Sequence, residues 1–128
     1  MNKIRMIALA ACMAATLDAA AQEQEIRLFS HRGGRMEHDE NTLSAFQASY
    51  DAGYRGFETD IRMTRDGALV ITHDSSLERT TDGTGTVEEK TEAEIRRLRT
   101  KQGNKVLFLD ELLEFLEGKE GLYVEFEM

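Results

Sequence analysis

Five side chains between residues 31 and 73 could together cleave a phosphate ester. His31 and Arg32 are neighbours, Glu58 and Asp60 follow further along the chain, and His73 comes after them. Each lies where an apolar run gives way to polar residues. Imidazoles transfer protons near neutral pH, carboxylates bind hard divalent cations, and a guanidinium pairs with phosphate. The set therefore predicts a site for metal-assisted attack on a phosphate ester.

A βαβ unit is predicted to position the first four of these side chains. An apolar run at 26–30 predicts a buried strand. Helical spacing begins after a cap at Asn41 or Thr42 and stops at Gly53. The next apolar run, 56–61, predicts a second strand. The two strands should therefore lie parallel, with a right-handed crossover.

A hairpin is predicted to bring the second histidine back to the carboxylates. The Arg-Asp-Gly sequence at 65–67 predicts a turn between strands at 61–63 and 68–71. A turn centred between the Asp and the Gly would place His73 beside Asp60. Both histidines would then end a strand at the edge where α/β proteins build their sites, which favours a functional role over a structural one.

The two carboxylates are predicted to hold a divalent cation. Glu58 and Asp60 are two residues apart on one strand, so their side chains share a face. They would repel each other in a buried strand unless a cation such as Mg²⁺ or Ca²⁺ lay between them. A third carboxylate is expected, and either Glu125 or Glu127 on the last predicted strand could supply it.

The rest of the chain is predicted to contain a loop, two helices and a strand. Residues 75–87 are rich in turn-forming residues. Thr91 should cap a helix at 92–99, and the leucine spacing predicts a second helix at 109–116. Alternation at 122–127 predicts a further strand.

The composition is typical of one small globular domain. The chain has 128 residues, of which 41% are hydrophobic and 31% charged. The formal net charge of -8 argues against a nucleic-acid partner. One cation in a cleft could still attract a phosphate, so we expect a small-molecule substrate. The oligomeric state stays open.

Residues 1–21 are predicted to be a signal peptide. Lys3 and Arg5 form a basic start, residues 6–17 are apolar and small, and the alanines up to Ala21 suit a cleavage site. The apolar core is too short for a permanent membrane span. We therefore expect export to the periplasm or the extracellular space.

Cys12 offers an alternative to simple cleavage. The Leu-Ala-Ala-Cys sequence at 9–12 is similar to a lipobox, which would anchor a lipoprotein to a membrane through Cys12. Cys12 is also the only cysteine of the chain. After cleavage at Ala21, the mature chain would have no disulfide, no thiol nucleophile and no cysteine-based zinc site.

Six short motifs follow one another along the chain. They are His31-Arg32-Gly33-Gly34, Glu40-Asn41-Thr42 with Ala45-Phe46, Gly56-Phe57-Glu58-Thr59-Asp60, Thr64-Arg65-Asp66-Gly67, His73-Asp74, and Leu77-Glu78-Arg79-Thr80-Thr81 with Gly83 and Gly85. This set resembles the glycerophosphodiester phosphodiesterase family from about residue 28 onwards. The resemblance implies an α/β fold, a TIM (β/α)8 barrel. Residues 26–128 would form its N-terminal part, a fragment covering about three strands.

The resemblance also implies a reaction and a role for six side chains. The reaction is the metal-dependent hydrolysis of glycerophosphodiesters to glycerol 3-phosphate and an alcohol, a step of lipid metabolism. The implied roles are an acid–base pair (His31 and His73), a phosphate ligand (Arg32) and ligands of Ca²⁺ or Mg²⁺ (Glu58, Asp60 and Glu127). Glu127 is favoured over Glu125 because the family's third carboxylate ends the third strand.

Two features depart from the family pattern. Asp39 stands where the family usually has a proline, which changes the stiffness of that loop. The second feature is length, because a TIM barrel takes about 250 residues. The alternative to an enzyme is therefore a truncated, inactive remnant or a surface-tethered binding module. We expect the 128-residue chain alone to have little activity and, with an open strand edge, poor solubility.

Overall fold

The computed structural model describes residues 27–128, so the predicted signal peptide and Cys12 lie outside the described residues. The elements follow in this order: β1 (Phe29–His31), α1 (Leu43–Asp51), β2 (Gly56–Met63), β3 (Leu69–Ile71), a 3-10 turn (Val87–Glu89), α2 (Glu92–Ile95), α3 (Leu109–Leu116) and β4 (Tyr123–Glu127). Within residues 27–128, no helix is both long and apolar enough to cross a membrane.

Strand β2 is the centre of an open four-stranded sheet. β1 and β4 pair in parallel with its first part, and β3 pairs antiparallel with its end. This arrangement confirms the predicted βαβ unit and the predicted hairpin. Because β1, β2 and β4 are parallel, their carboxyl ends meet at one edge of the sheet. His31 and Glu127, the last residues of β1 and β4, therefore lie at that edge.

The hairpin register differs by one residue from the prediction. Ile61 pairs with Ile71, and the N–H of Thr72 donates to the carbonyl of Asp60 at 3.0 Å. Thr72 therefore lies opposite Asp60, and His73 lies one residue beyond. The cause is a three-residue loop: the N–H of Thr64 donates to the carbonyl of Ala68 at 2.8 Å. Its last residue, a glycine, has a φ of 91°, as three-residue hairpin loops require.

Two apolar clusters support the sheet. The first packs the sheet against α1 and α3 through buried side chains: Phe46, Phe57, Ile71, Leu107 and Leu112. The second lies under the long segment between β3 and α3 and contains Val70, Leu77, Val87, Ile95, Val106 and Phe108. The second cluster gives this largely irregular segment a core of its own.

Helix α2 is shorter than the sequence predicts. Thr91 caps it as expected, because its hydroxyl accepts from the N–H of Glu94 at 3.3 Å. The α-helix nevertheless ends at Ile95, which is fully buried. The N–H groups of Arg97 and Leu98 then donate to carbonyls three residues back, which tightens the turn and ends the helix.

Candidate active site

Three carboxylates meet at the carboxyl edge of the sheet. One oxygen from each of Glu58, Asp60 and Glu127 lies within 4.8 Å of the others. Glu58 and Asp60 share one face of β2, and the parallel register pairs Asp60 with Glu127. The register pairs Glu125 with Glu58, but Glu125 does not belong to this carboxylate group.

The carboxylate group has the donors that a hard divalent cation needs. Three carboxylates at this spacing repel one another, and a cation between them would offset that repulsion. Ca²⁺ and Mg²⁺ both bind through carboxylate oxygens and take at least six ligands. Glu58, Asp60 and Glu127 therefore suit such an ion and would leave positions for water or a substrate oxygen.

The side-chain amide of Asn41 holds Asp60 in place. Its Nδ2 donates to Asp60 Oδ2 at 3.0 Å, and its Oδ1 accepts from the hydroxyl of Thr59 at 3.0 Å. Asn41 has a φ of 55°, a conformation that asparagine tolerates better than most residues. The sequence suggested Asn41 only as one of two possible caps of α1, and the cap is Thr42. The available signal was the place of Asn41 in the Glu-Asn-Thr motif.

Arg32 is buried beside two of these carboxylates, with only 9% of its side chain exposed. Its Nη1 donates to Glu40 Oε1 at 3.3 Å, and its Nε lies 3.3 Å from Asp60 Oδ2 without the direction of a hydrogen bond. The backbone of Arg32 is left-handed, with a φ of 52°. This conformation lets its N–H donate to Glu58 Oε2 at 3.1 Å. Arg32 thus supports two of the three carboxylates.

The two predicted catalytic histidines flank the carboxylate group. Nε2 of His31 lies 3.6 Å from Glu58 Oε2. His73 lines a cleft of about 110 Å³ together with Asp60 and Glu127. About half of each imidazole is exposed to solvent (51% and 43%), so both rings can reach a substrate. The structure therefore brings all six sequence-predicted residues to one edge of the sheet.

His73 is held by a carboxylate to which the sequence assigned no role. Its Nδ1 lies 2.7 Å from Asp74 Oδ1. Hydrogen bonds from Arg79, and then from His73, hold the pKa of Asp74 well below its usual range. An ionised carboxylate only accepts hydrogen bonds, so a neutral His73 carries its proton on Nδ1 and a lone pair on Nε2. The signal was present in the adjacent His-Asp pair.

A wide cleft of the described chain lies away from this site. It has a volume of about 680 Å³ and lies at the amino ends of the parallel strands, between Arg27–Phe29 and Gly121–Tyr123. None of the six predicted residues lines it. The candidate site is therefore identified by the chemistry of the carboxyl edge, although its own cleft is smaller than this one.

Comparisons with known proteins relate the chain to one family. The model of the glycerophosphoryl diester phosphodiesterase family matches residues 31–128. A glycerophosphodiester phosphodiesterase from Caldanaerobacter subterraneus is 41% identical over 71 residues, which are 56% of this chain and 29% of that protein. The chain thus spans less than a third of that relative's length.

Solved structures of the family have the same fold over the described residues. A glycerophosphodiester phosphodiesterase from Agrobacterium tumefaciens aligns with a TM-score of 0.72 and 36% identity, over 80% of this chain and 47% of its own. A phosphodiesterase from Oleispira antarctica, in complex with the product sn-glycerol-3-phosphate, aligns with a TM-score of 0.73 and 29% identity. That alignment covers 79% of this chain and 43% of the other.

Proposed function

Because the chain belongs to the glycerophosphoryl diester phosphodiesterase family, we propose that the protein carrying it hydrolyses glycerophosphodiesters to sn-glycerol 3-phosphate and an alcohol. The observation that carries this proposal is the group of three carboxylates flanked by two half-exposed histidines. The product bound to the Oleispira antarctica relative supports the substrate class. The open sheet would be the first part of a TIM barrel.

We propose a cation-dependent reaction in which the carboxylate group holds Ca²⁺ or Mg²⁺. When bound, the ion supplies positive charge against the charge that develops on the phosphate oxygens. Arg32 would add positive charge next to the ion, because a guanidinium has five N–H donors and its contacts with Glu40 and Asp60 leave some of them for phosphate.

The two histidines would move the protons. His73 has its lone pair on Nε2, so it accepts the proton of the glycerol 2-hydroxyl as that oxygen attacks phosphorus. The bond from phosphorus to the departing alkoxide breaks, and His31 donates a proton to that alkoxide. The product of this step is a cyclic phosphate that joins the 2- and 3-oxygens of glycerol. Water then attacks its phosphorus and gives a proton to His31. The bond from phosphorus to the 2-oxygen breaks, and His73 returns its proton to that oxygen, which gives glycerol 3-phosphate.

The test uses the full-length gene product with glycerophosphocholine as substrate and release of sn-glycerol 3-phosphate as the readout. We expect His31→Ala and His73→Ala each to lower kcat by about 100-fold or more, the usual contribution of a general acid or base. His38→Ala is the matched control, since it removes the third histidine from the loop after β1. Wild-type turnover in the His31 or His73 variant would exclude the proposed mechanism.

We also propose that residues 1–21 direct export and are then removed. The basic, apolar and small-residue regions of the sequence support this proposal. The intact mass of the exported protein tests it: a chain beginning at Gln22 supports simple cleavage. A chain beginning at an acylated Cys12 would instead identify a lipoprotein.

A further inference from the structure

Arg79 binds two carboxylates through different edges of its guanidinium. Its Nε donates to Asp74 Oδ2, while Nη1 and Nη2 donate to the two oxygens of Glu40 at 2.9 and 2.7 Å. A planar guanidinium matches a carboxylate in this bidentate manner, whereas a lysine ammonium does not. The three contacts therefore fix the orientation of Asp74 relative to Glu40.

Through Asp74, Arg79 is connected to His73, one of the two proposed catalytic histidines. Asp74 uses its second oxygen, Oδ1, for the 2.7 Å contact with Nδ1 of His73. Each carboxylate oxygen thus has its own partner, and the plane of the carboxylate is set from both sides. If Arg79 releases Oδ2, Asp74 can rotate, and the imidazole of His73 loses its fixed acceptor.

Through Glu40 and Arg32, Arg79 is also connected to Asp60 of the carboxylate group. Glu40 Oε1 also accepts from Nη1 of Arg32 at 3.3 Å, and Nε of Arg32 lies 3.3 Å from Asp60 Oδ2. A chain of charged contacts therefore runs from His73 to Asp60 through Arg79. It joins the loop after β3 to the loop after β1.

The segment that carries Arg79 is fixed in place by buried neighbours. Leu77 belongs to the second apolar cluster, and the buried Thr81 donates both its N–H and its hydroxyl to the carbonyl of Leu77, at 3.0 and 2.7 Å. Arg79 lies between these two residues. The core of the 75–108 segment thus holds the backbone of Arg79, and the guanidinium is held by its carboxylate contacts.

We propose that Arg79 is a positioning residue that sets the orientation and tautomer of His73 through Asp74. The proposal rests on the proposed function, because it assumes that His73 transfers a proton. The Nδ1–H tautomer of His73 should depend on Arg79 whether or not a substrate is turned over.

The first test measures the tautomer directly in the full-length product. Long-range ¹H–¹⁵N spectra of the imidazoles should show the Nδ1–H form of His73 in the wild type and a mixture of tautomers in Arg79→Gln. Arg96→Gln is the matched control, because Arg96 also pairs with carboxylates but with different ones: Glu92, Asp110 and Glu111. A His73 spectrum unchanged by Arg79→Gln would overturn the proposal.

The second test is kinetic and uses the full-length product. We expect Arg79→Gln to lower kcat by about 10–100-fold, as loss of a supporting residue does, with little change in KM. In an Asp74→Asn background, Arg79→Gln should cause little further loss, because Arg79 acts through Asp74. Additive losses in the two variants would contradict the proposal and indicate separate roles.

A second variant and the spectra separate the role of Arg79 from folding and from the proposed function. If Arg79→Gln does not fold, Arg79→Lys keeps a positive charge but cannot reproduce the three-nitrogen contact, so the same loss of tautomer is expected. An unchanged tautomer in Arg79→Lys would overturn the proposal. If the wild-type full-length product does not hydrolyse glycerophosphocholine, the proposed function fails, while the imidazole spectra still decide the role of Arg79.

Discussion

The carboxylate of Glu127 tests whether the sheet edge is a cation site. Glu125 and Glu127 lie on the same strand and face, but only Glu127 belongs to the carboxylate group. We expect Glu127→Gln to weaken Ca²⁺ binding at least about tenfold. Loss of a residue that only supports a metal ligand costs about 10–100-fold in affinity, and Glu127 would be a ligand itself. Glu125→Gln, the matched control, should bind like the wild type. Calorimetric titration of the full-length product measures both, and equal affinities in the two variants would contradict the assignment.

Asp74 makes the stability of the fold depend on pH. Its hydrogen bonds with Arg79 and His73 depress its pKa in the folded chain below the ordinary value of about 3.9. The folded state therefore gains stability at neutral pH, and that gain is lost as the pH falls below about 4. Urea unfolding between pH 6 and 2.5 should show a smaller decline for Asp74→Asn than for the wild type. Identical pH curves would show that the ion pair contributes nothing to stability.

Among single residues, the sequence indicated which side chains gather at the carboxyl edge of the sheet but not which residues hold them there. The residue types and strand ends were sufficient to select His31, His73 and the carboxylates. Arg32 was interpreted as a phosphate ligand because it follows His31, yet its nearest charged partners are Glu40 and Asp60. Such partners come from distant parts of the chain, so their pairing depends on the tertiary fold.

At the scale of elements, the loop between β1 and α1 depends on the close approach of Gly33 to α1. A Cβ on Gly33 would lie 2.9 Å from Cβ of Ala45, and its φ is 75°. Gly103 has a similar φ of 86°, but a Cβ there would have nothing within 4 Å. A substitution at Gly103 therefore adds backbone strain alone, whereas a substitution at Gly33 adds both backbone strain and crowding.

We expect Gly103→Ala to lower the free energy of unfolding by about 1 kcal/mol through left-handed strain. Gly33→Ala should cost roughly 1–3 kcal/mol more, because the added methyl group overpacks the contact with α1. Urea unfolding of the 128-residue chain measures both changes. Equal losses would show that the loop can move away from α1 without cost.

The elements themselves were predicted best where the apolar pattern was strong. The α3 helix begins and ends where its leucine spacing predicts, at Leu109 and Leu116. The α2 helix was predicted to be too long. Residues 92–99 have a pattern that favours a helix, but the chain turns after the buried Ile95. The hairpin was predicted correctly in place, but its register depended on a loop of three residues rather than two.

At the scale of the whole molecule, the sheet leaves apolar side chains exposed along β4. Tyr123 and Phe126 are 48% and 39% exposed, and within residues 27–128 β4 pairs with β2 alone. An unprotected strand edge favours association, so we expect the 128-residue chain to form concentration-dependent oligomers. Light scattering after gel filtration measures this. A single monomeric species at high protein concentration would contradict it.

The central claim is that the carboxylate group holds a cation on which phosphodiester cleavage depends. The most direct measurement is release of sn-glycerol 3-phosphate from glycerophosphocholine by the full-length product, stripped of metal and then titrated with Ca²⁺ or Mg²⁺. We predict no turnover in excess chelator and recovery on titration for the wild type, but no recovery for a variant with Glu58→Gln and Asp60→Asn. Undiminished turnover in chelator, with no metal detected in the protein, would contradict the claim.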